Sequence, residues 1–499
     1  MQQKNLRANL IFHLLMVLCL FLPLGGLAQA VYTEGPKIKR DIYFLASDEL
    51  EGRMTGEKGN LVAARFIAEE FRNLGVESPE GVDDYFQVIE FEKRIPAKEG
   101  FIKTKDTLLR HIEEILIMSG TQSGGEYPLV FAGQGWVDDE TNDYEGLDVH
   151  GKWVLVTFGK PGSVDPRDGF FASIQKREWA KDRGALGMIE VYRSSFPWSM
   201  IKRFLGREQT SLSSGSAALA DFQYVLSDYP FSDEIASLRN GKEVKIQFEN
   251  SGVKIKKLYS PNVIGWIQGT NAAMSDEYII LSAHYDHVGV GEGEGDVIFN
   301  GARDNAMGTA AILAAARHFA KNPPSRSLLI IALTGEEIGL LGSDYYVRNP
   351  VRPLNKAILN LNTDGAGYNA TDRVNVIGHD RVGILEILIE AASKAGLDLY
   401  GDPAPEQNLF DRSDNVSFAR MGIPAPSWSP GMTSFDQEIL KYYHQPGDHA
   451  DTLDYEYVEK FVMGYIIAVE KIANRKEKPR WREGDKYEEA AKRLYGSQY

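Results

Sequence analysis

The chain has 499 residues, more than one compact hydrophobic core normally holds, so at least two domains are expected. Hydrophobic residues make up 43% of the sequence and charged residues 25%, as in ordinary soluble globular proteins. The net charge of −15 argues against nucleic acid or an anionic membrane surface as a partner. These figures do not identify a substrate.

The first 30 residues have the pattern of an export signal. Lys4 and Arg7 precede an apolar run over residues 10–24, which is short for a membrane span and is followed by small residues. We therefore expect a signal peptide over 1–30 and an exported protein, secreted or periplasmic, with no stable membrane insertion after cleavage; an uncleaved anchor is the alternative. Cys19 is the only cysteine, so the mature chain has no thiolate metal ligand and no cysteine nucleophile.

Two helices are predicted next, over residues 38–50 and 60–74. Apolar side chains recur there at helical spacing, and Gly75 ends the second run. Residues 48–56 between them form a polar, glycine-containing loop. The sequence indicates a connector, and spacing alone gives no support for a role on the substrate side.

From about residue 101 to residue 255 the sequence consists of short β-like runs separated by turn residues. This predicts an inserted, mainly β domain. Within it, residues 135–156 and 178–189 resemble the protease-associated domain, which occurs as an insertion in several peptidases and carries no catalytic residues. The resemblance implies a role in limiting substrate size or forming a cleft wall.

From residue 256 to residue 474, strands and helices alternate. The predicted strands are 278–282, 327–333 and 357–362, and the predicted helices are 306–320, 339–348, 383–395 and 455–474. The alternation predicts an α/β fold in which helices sandwich a mostly parallel sheet, with sites at the carboxyl ends of the strands. A charged tail over 475–499 is expected to form a solvated linker and a terminal helix, and it is assigned no function.

Five clusters of acids and histidines occur in this region. They are His284 with Asp286, Asp304, Glu336 with Glu337, Asp364, and His444. Each alone has an ordinary explanation, since an Asp that opens a helix is usually a cap and paired Glu residues usually lie in a solvated turn. Together, four of the five follow strand ends or open the next helix, so they converge at one edge, where buried carboxylates need a cation. Two histidines with carboxylates and no sulfur suit zinc, with cobalt or manganese as substitutes.

The order of these motifs, together with the run Arg412–Phe418, resembles the secreted co-catalytic zinc aminopeptidase family. That family includes aminopeptidase Y-like enzymes, glutamate carboxypeptidases and, more distantly, glutaminyl cyclases. The resemblance spans roughly residues 38–474 and implies a zinc-exopeptidase fold, peptide substrates and two Zn²⁺ per chain. It implies a peptidase domain made of residues 31–100 and 256–474, with the protease-associated domain over 101–255 inserted between them.

Carried over residue by residue, the resemblance implies a ligand set for two metals. His284 and Asp364 would bind one zinc. Glu337 and His444 would bind the other, and Asp304 would bridge the two.

Three further roles follow from the same resemblance. Glu336 would be the general base and acid for a water that bridges the metals. Asp286 would support the His284 region, and Tyr443 would stabilise the oxyanion of the tetrahedral intermediate. Asp414–Asn415 would lie near the substrate face.

Other histidines are weaker candidates for metal ligands. His287 is close to His284, but we expect a packed neighbour rather than a ligand. His449 is an alternative to His444, which the motif favours. His318 falls inside a predicted helix and is expected to be structural. The remaining ones lie outside the motifs: His111, His150 and His379.

The expected function is the removal of N-terminal residues from peptides by an exported di-zinc metallopeptidase. The nearest alternative is a carboxypeptidase or dipeptidase, which would need a cationic pocket; Arg303, Arg412 and Arg420 are the candidates. A glutaminyl cyclase is less favoured, since that branch usually works with one zinc and lacks the inserted domain. A non-catalytic binding protein is disfavoured by the complete ligand set with Glu336. The sequence does not indicate the preferred side chain or the oligomeric state.

Overall fold

The computed structural model describes residues 34–163, 166–213 and 219–496. The signal peptide predicted over 1–30 lies outside the described residues. The chain divides into two compact units, one formed by Met1–Ile89 with Tyr259–Tyr499 and the other by Glu90–Leu258. Within the described ranges, no helix has the length and apolar character needed to cross a bilayer.

The described part of the chain contains helices on both sides of the unit boundaries. In chain order they are α1 Gly35–Leu45, α2 Lys58–Leu74, α3 Pro166–Asp182, α4 Trp198–Leu205, α5 Ser232–Arg239, α6 Met307–Lys321, α7 Leu341–Arg348, α8 Leu385–Lys394, α9 Asn415–Arg420, α10 Gln437–Leu440, α11 Tyr455–Asn474 and α12 Glu488–Tyr495.

The strands form two sheets. In chain order they are β1 Phe86–Ile95, β2 Gly100–Lys103, β3 Leu108–Arg110, β4 Ile115–Ser119, β5 Ser123–Phe131, β6 Trp153–Thr157, β7 Gly187–Val191, β8 Gln209–Leu212, β9 Gln223–Ser227, β10 Val244–Asn250, β11 Lys254–Ile267, β12 Tyr278–His284, β13 Ser327–Leu333, β14 Ala357–Thr363, β15 Arg373–Ile377, β16 Asp398–Tyr400 and β17 Ser427–Pro430.

The central sheet of the first unit has the strand order β16-β15-β17-β14-β12-β13-β11. Parallel ladders join β12 to β13 and to β14, and join β14 to β17. Every residue of β12, β13 and β14 is buried, as expected for strands that helices cover on both faces. The predicted α/β fold with a mostly parallel sheet is confirmed.

The registers of these strands bring their carboxyl ends to one edge of the sheet. His284, the last residue of β12, pairs with Leu333, the last residue of β13. Ser282 pairs with Asn362, one residue before the end of β14. The acids that follow the three strands therefore start from the same edge, where ligand sites of parallel sheets form.

The helix predicted over 38–50 is wrong in its last five residues. α1 ends at Leu45, and the chain then turns through Asp48–Arg53, where Glu51 and Gly52 have left-handed backbone angles. A Cβ on Gly52 would lie 2.3 Å from the carbonyl oxygen of Gly289, so tertiary packing against that segment overrides the helical pattern. By contrast, the helix predicted over 455–474 has those bounds in α11.

The second unit is rich in sheet, with the strand order β3-β2-β10-β5-β6-β7-β9-β4. Parallel ladders join β5, β6, β7 and β9 in turn. The unit also contains α3, α4 and α5, which the sequence analysis did not predict. In α3, charged residues interrupt the apolar positions, so the sequence lacks a clear helical period. The predicted insertion 101–255 falls within this unit.

The C-terminal tail is only partly solvated. Trp481 and Ala491 belong to the hydrophobic core of the first unit and are 4% and 0% exposed. The indole Nε1 of Trp481 donates a hydrogen bond of 3.0 Å to the carbonyl of Gly422. Ala491 lies on the buried face of the terminal helix α12, and Trp481 lies before that helix. A terminal helix is present as expected, but the expectation that the tail is solvated is wrong for these two residues.

Candidate metal centre

Asp304 lies at the middle of the candidate site. It is in a buried loop directly before α6, and its peptide bond to Asn305 is cis. Asp304 Oδ1 is 3.2 Å from Nε2 of His284, and Oδ2 is 3.2 Å from Nε2 of His444. The two oxygens of one carboxylate therefore face two different histidines, as a bridging ligand requires.

Each of these histidines also contacts a second carboxylate. His284 Nε2 is 3.2 Å from Oδ1 of Asp364, which immediately follows β14. His444 Nε2 is 3.0 Å from Oε2 of Glu337, which follows β13. The structure thus brings together the five predicted metal ligands as two neighbouring sets that share Asp304.

The donor set fits zinc. Among the described residues, two groups of donor atoms lie close together. One group is His284, Glu336 and Asp364, and the other is His287, Asp304, Glu337 and His444. Glu336 and His287 are the members that are not among the five predicted ligands. Two ligands bound to one tetrahedral zinc at its usual bond lengths are about 3.3 Å apart. The measured donor separations of 3.0 to 3.2 Å match that spacing.

Asp286 contacts both the two glutamates and the ring of His284. Its Oδ1 accepts a hydrogen bond from the main-chain N–H of Glu336 at 3.2 Å, and its Oδ2 accepts one from the N–H of Glu337 at 3.3 Å. The Nδ1 of His284 lies 3.2 Å from the main-chain oxygen of Asp286 and 3.7 Å from its Oδ1. The side chain of Asp286 therefore fixes the turn that carries the candidate base and a candidate ligand.

His287 is packed beside the site, as expected, and it also contacts a candidate ligand. Its side chain is 0% exposed, and its Nδ1 is 2.6 Å from Oε1 of Glu337, the oxygen that does not face His444. The ring also packs edge-on against the ring of His444. The contact with Glu337 had no signal in the sequence.

Asp448 also belongs to the site, although no role was predicted for it from the sequence. It is 1% exposed and accepts hydrogen bonds from the main-chain N–H of Arg303 at 2.9 Å and from its guanidinium at 2.9 Å. Arg303 also donates to Thr452. The Arg303–Asp448 pair joins the loop of Asp304 to the loop of His444. It also engages the guanidinium of Arg303, which was a candidate for binding the carboxylate of a substrate.

Tyr443 lies against the ring of His444, with the ring centres 4.0 Å apart. Its hydroxyl accepts a hydrogen bond of 3.2 Å from Nη2 of Arg412. Burial and the carboxylate of Asp304 raise the pKa of the Tyr443 hydroxyl above its ordinary value. The hydroxyl therefore stays protonated and can donate to a developing negative charge.

A cavity of about 80 Å³ adjoins these groups. Acids of the site form one wall, and Tyr443 and Arg412 line it as well. Apolar side chains also line it, which are Ile377, Leu409, Met432 and Phe435. The cavity can therefore hold a small ligand with one apolar part close to the acids.

Burial raises the pKa of the Glu336 carboxyl well above its ordinary value, and the carboxylate of Asp364 adds to this effect while His284 opposes it. The pKa of Asp304 moves the other way: burial acts to raise it, but hydrogen bonds with His284 and His444 hold it far below the ordinary value. The two acids therefore differ in proton affinity, as a proton carrier and a metal ligand should.

Comparison with known proteins finds a family match over the region of the site. The profile of peptidase family M28 matches residues 262–467. All eight predicted site residues lie within the M28 segment, which starts before His284 and ends after His444. The loop over 48–56 lies outside it.

Curated relatives share part of this segment. Aminopeptidase YwaD of Bacillus subtilis is 28% identical over 228 residues, which is 44% of this chain and 46% of that protein. The vacuolar membrane protease of Eremothecium gossypii is 35% identical over 111 residues, or 22% of this chain and 10% of that protein. The chain thus spans about half the length of the first relative and a tenth of the second.

A solved aminopeptidase structure has a similar fold over most of the chain. The aminopeptidase from Aneurinibacillus sp. strain AM-1 superposes with a TM-score of 0.51 at 23% identity, covering 89% of this chain and 95% of that chain. At this identity the likeness concerns the fold alone.

Proposed function

We propose that the chain is a zinc-dependent aminopeptidase with two metal ions. The observation that carries the proposal is the position of Asp304, whose two carboxylate oxygens face His284 on one side and His444 on the other at 3.2 Å. His284 with Asp364 would hold one zinc, and His444 with Glu337 would hold the other. The names of the Bacillus and Aneurinibacillus relatives support peptide substrates with a free N-terminus.

The residues of this chain have distinct tasks in such a reaction. Zinc, when bound, lowers the pKa of water and polarises the carbonyl that is attacked. The Glu336 carboxyl has the raised pKa of a group that accepts a proton from the attacking water and returns it to the leaving amine. The Tyr443 hydroxyl donates a hydrogen bond to the carbonyl oxygen as negative charge develops on it.

The cavity favours an aminopeptidase over a carboxypeptidase. Its acidic wall suits the ammonium group of a peptide N-terminus, and its apolar wall suits an uncharged side chain. Of the three arginines proposed as carboxylate anchors, Arg303 is engaged by Asp448, and Arg412 is the one that lines the cavity. A carboxypeptidase or dipeptidase would depend on Arg412 alone. One zinc per chain would instead favour a glutaminyl cyclase.

We expect Glu336→Gln to lower kcat for aminoacyl-4-nitroanilides by about 10²- to 10⁴-fold, the usual contribution of a general base. The zinc content should stay at the wild-type level, because Glu336 is not one of the assigned ligands. Glu390→Gln, the same change on an exposed face of α8, is the matched control.

Wild-type turnover by the Glu336→Gln variant would exclude the assigned mechanism. The same assay separates the two exopeptidase classes, since N-acetylated peptides should resist hydrolysis and C-amidated peptides should not. The opposite pattern would identify a carboxypeptidase.

Two further proposals concern the rest of the chain. We propose that residues 1–30 are a signal peptide and that the protein acts after export. We also propose that the second unit is a protease-associated domain, in line with the two sequence runs that resemble one and with its sheet-rich structure.

A further inference from the structure

The loop over residues 48–56 has a role that its sequence did not reveal. The loop is polar, yet the structure buries two of its polar side chains almost completely: Arg53 is 1% exposed and Thr55 is 2% exposed. A buried guanidinium is costly unless its donors are paired. The partners of these two residues therefore indicate what the loop does.

Arg53 donates only to main-chain carbonyls, and these belong to separate segments. Its Nε donates to the oxygen of Tyr285 at 2.8 Å, and its Nη2 donates to the oxygen of Gly301 at 3.0 Å. Its Nη1 donates to Asn300 at 2.6 Å and to Leu45. The rigid fork of one guanidinium thus joins α1 to two other stretches of chain.

Both of those stretches carry candidate metal ligands. Tyr285 directly follows His284, and Gly301 lies three residues before Asp304. Arg53 therefore sets the distance between the main chain of one ligand and that of the bridging ligand. Among the described residues, Arg53 donates its hydrogen bonds to main-chain carbonyls and not to carboxylates. It therefore holds the two segments without competing with a metal ion for the carboxylate ligands.

Thr55 acts on the third ligand-bearing segment, that of Glu337, through Asp286. Its Oγ1 donates a hydrogen bond of 3.1 Å to Oδ2 of Asp286, the carboxylate that also accepts the main-chain N–H groups of Glu336 and Glu337. The Thr55 hydroxyl thereby orients the carboxylate of Asp286, which in turn holds the turn of Glu336 and Glu337.

Main-chain contacts hold the loop itself in place. The N–H of Gly289 donates to the oxygen of Gly52 at 3.0 Å, and the N–H of His287 donates to the oxygen of Arg53 at 3.3 Å. Gly52 has a φ of +64°, and a Cβ there would lie 2.6 Å from the oxygen of Phe299. The loop is therefore packed closely against both ligand-bearing segments.

The charge of Arg53 also suits the site. Burial lowers the pKa of Arg53 to about 10, while the carboxylates of Asp286, Asp304, Asp448 and Glu337 act in the opposite direction. The guanidinium thus remains protonated at neutral pH and offsets part of the negative charge that these acids concentrate.

We propose that Arg53 and Thr55 are positioning residues of the metal centre. They hold the segments of His284, Asp304 and Glu336–Glu337 in the geometry that two zinc ions need. This inference rests on the proposed function, because it presupposes that these residues bind metal.

The test is zinc affinity, measured by competition with a chromophoric chelator on the full chain. Arg53→Lys keeps the charge and loses the fork, so we expect zinc to bind about 10- to 100-fold more weakly, as for other residues that support metal ligands. Arg326→Lys is the matched control, because Arg326 is equally buried and also donates to main-chain carbonyls, those of Arg475 and Lys476. It should leave zinc affinity unchanged.

A second pair of variants covers the case in which Arg53→Lys fails to fold. Thr55→Val is nearly isosteric and removes the donor to Asp286, and we expect about tenfold weaker zinc binding. Thr55→Ser keeps the hydroxyl donor, so this variant should bind zinc with the wild-type affinity. The inference is overturned if Arg53→Lys and Thr55→Val both bind zinc within twofold of the wild-type affinity. If only Thr55→Val folds, the same result for that variant alone overturns it. A wild-type chain that binds no zinc contradicts the proposed function itself.

Discussion

Asp414 lies in an environment that disfavours its ionised form. It directly precedes α9, is 0% exposed, and neither of its carboxylate oxygens has a hydrogen-bond partner among the described residues. Burial raises the pKa of Asp414 to about 7. The carboxylates of Asp286 and Asp364 add to this effect, and His284 opposes it. An ionised Asp414 therefore costs folding free energy in the absence of a cation.

We expect Asp414→Asn to stabilise the zinc-depleted protein at pH 8 but not at pH 4. The folded-state pKa of about 7 lies above the ordinary value of 3.8, so the folded state holds this proton more tightly than the unfolded chain does. The cost of the native carboxylate is therefore absent below pH 3.8, grows as the pH rises towards 7, and is complete above it, at up to about 4 kcal/mol.

Urea unfolding of both proteins at pH 4 and pH 8 measures this effect. The substitution also changes hydrogen bonding and packing, but that contribution is common to both pH values. The difference between the two stability changes is therefore the informative quantity. An equal change at pH 4 and pH 8 would contradict the assigned environment of Asp414.

At the scale of elements, the candidate site is assembled from segments that lie between strands and helices. β12, β13 and β14 bring their carboxyl ends to one edge, and the loop before α6 brings Asp304 to the same place. Packing of the loop over 48–56 holds two of these segments, and glycine permits its close approach at Gly52. The positions of the ligands thus depend on loop packing as well as on the sheet.

Replacing Gly52 by alanine tests that dependence. The new Cβ would meet the oxygens of Gly289 and Phe299 at 2.3 Å and 2.6 Å, so the loop must move. Gly75→Ala is the matched control, because Gly75 has a similar φ of +71° with no atom within 4 Å of the new Cβ. We expect Gly75→Ala to cost about 1 kcal/mol through backbone strain alone.

We expect Gly52→Ala to cost at least about 3 kcal/mol, since an overpacked contact adds to the same strain. Chemical unfolding of both variants compares the two costs. Equal losses of stability would mean that the loop over 48–56 tolerates displacement, and would remove the basis for its role in fixing the ligand segments.

The sequence predicts the sheet edge better than it predicts these loops. Apolar runs and their spacing indicate β12, β13 and β14, because most positions of a buried strand are apolar. The acceptors of Arg53 are main-chain carbonyls, which every residue has, so no residue type indicates that contact. The contact between His287 and Glu337 joins positions 50 residues apart, and the sequence gives neither their distance nor their direction.

At the scale of the whole molecule, the candidate metal chemistry is confined to one unit. The eight predicted site residues, Arg53 and Thr55 all lie in the unit formed by Met1–Ile89 and Tyr259–Tyr499. The unit Glu90–Leu258 has hydrophobic clusters of its own, one of which includes Trp153, Ile189 and Phe248. Loss of metal should therefore act on the first unit and leave the stability of the second unchanged.

Hydrogen exchange of the zinc-loaded and zinc-depleted protein makes that expectation measurable. Metal present at 1,000 times its dissociation constant stabilises the bound state by about 4 kcal/mol against any opening that separates the ligands. Depletion should therefore speed exchange in segments that carry ligands or their supports, which are 48–56, 284–289, 301–306, 335–339, 363–366 and 442–448. Strands β6 and β7 of the second unit should exchange as before, and adding zinc, but not magnesium, should restore protection. Equal acceleration in both units would show that the metals stabilise the molecule as a whole, and unchanged exchange in the ligand segments would mean that these residues do not bind zinc.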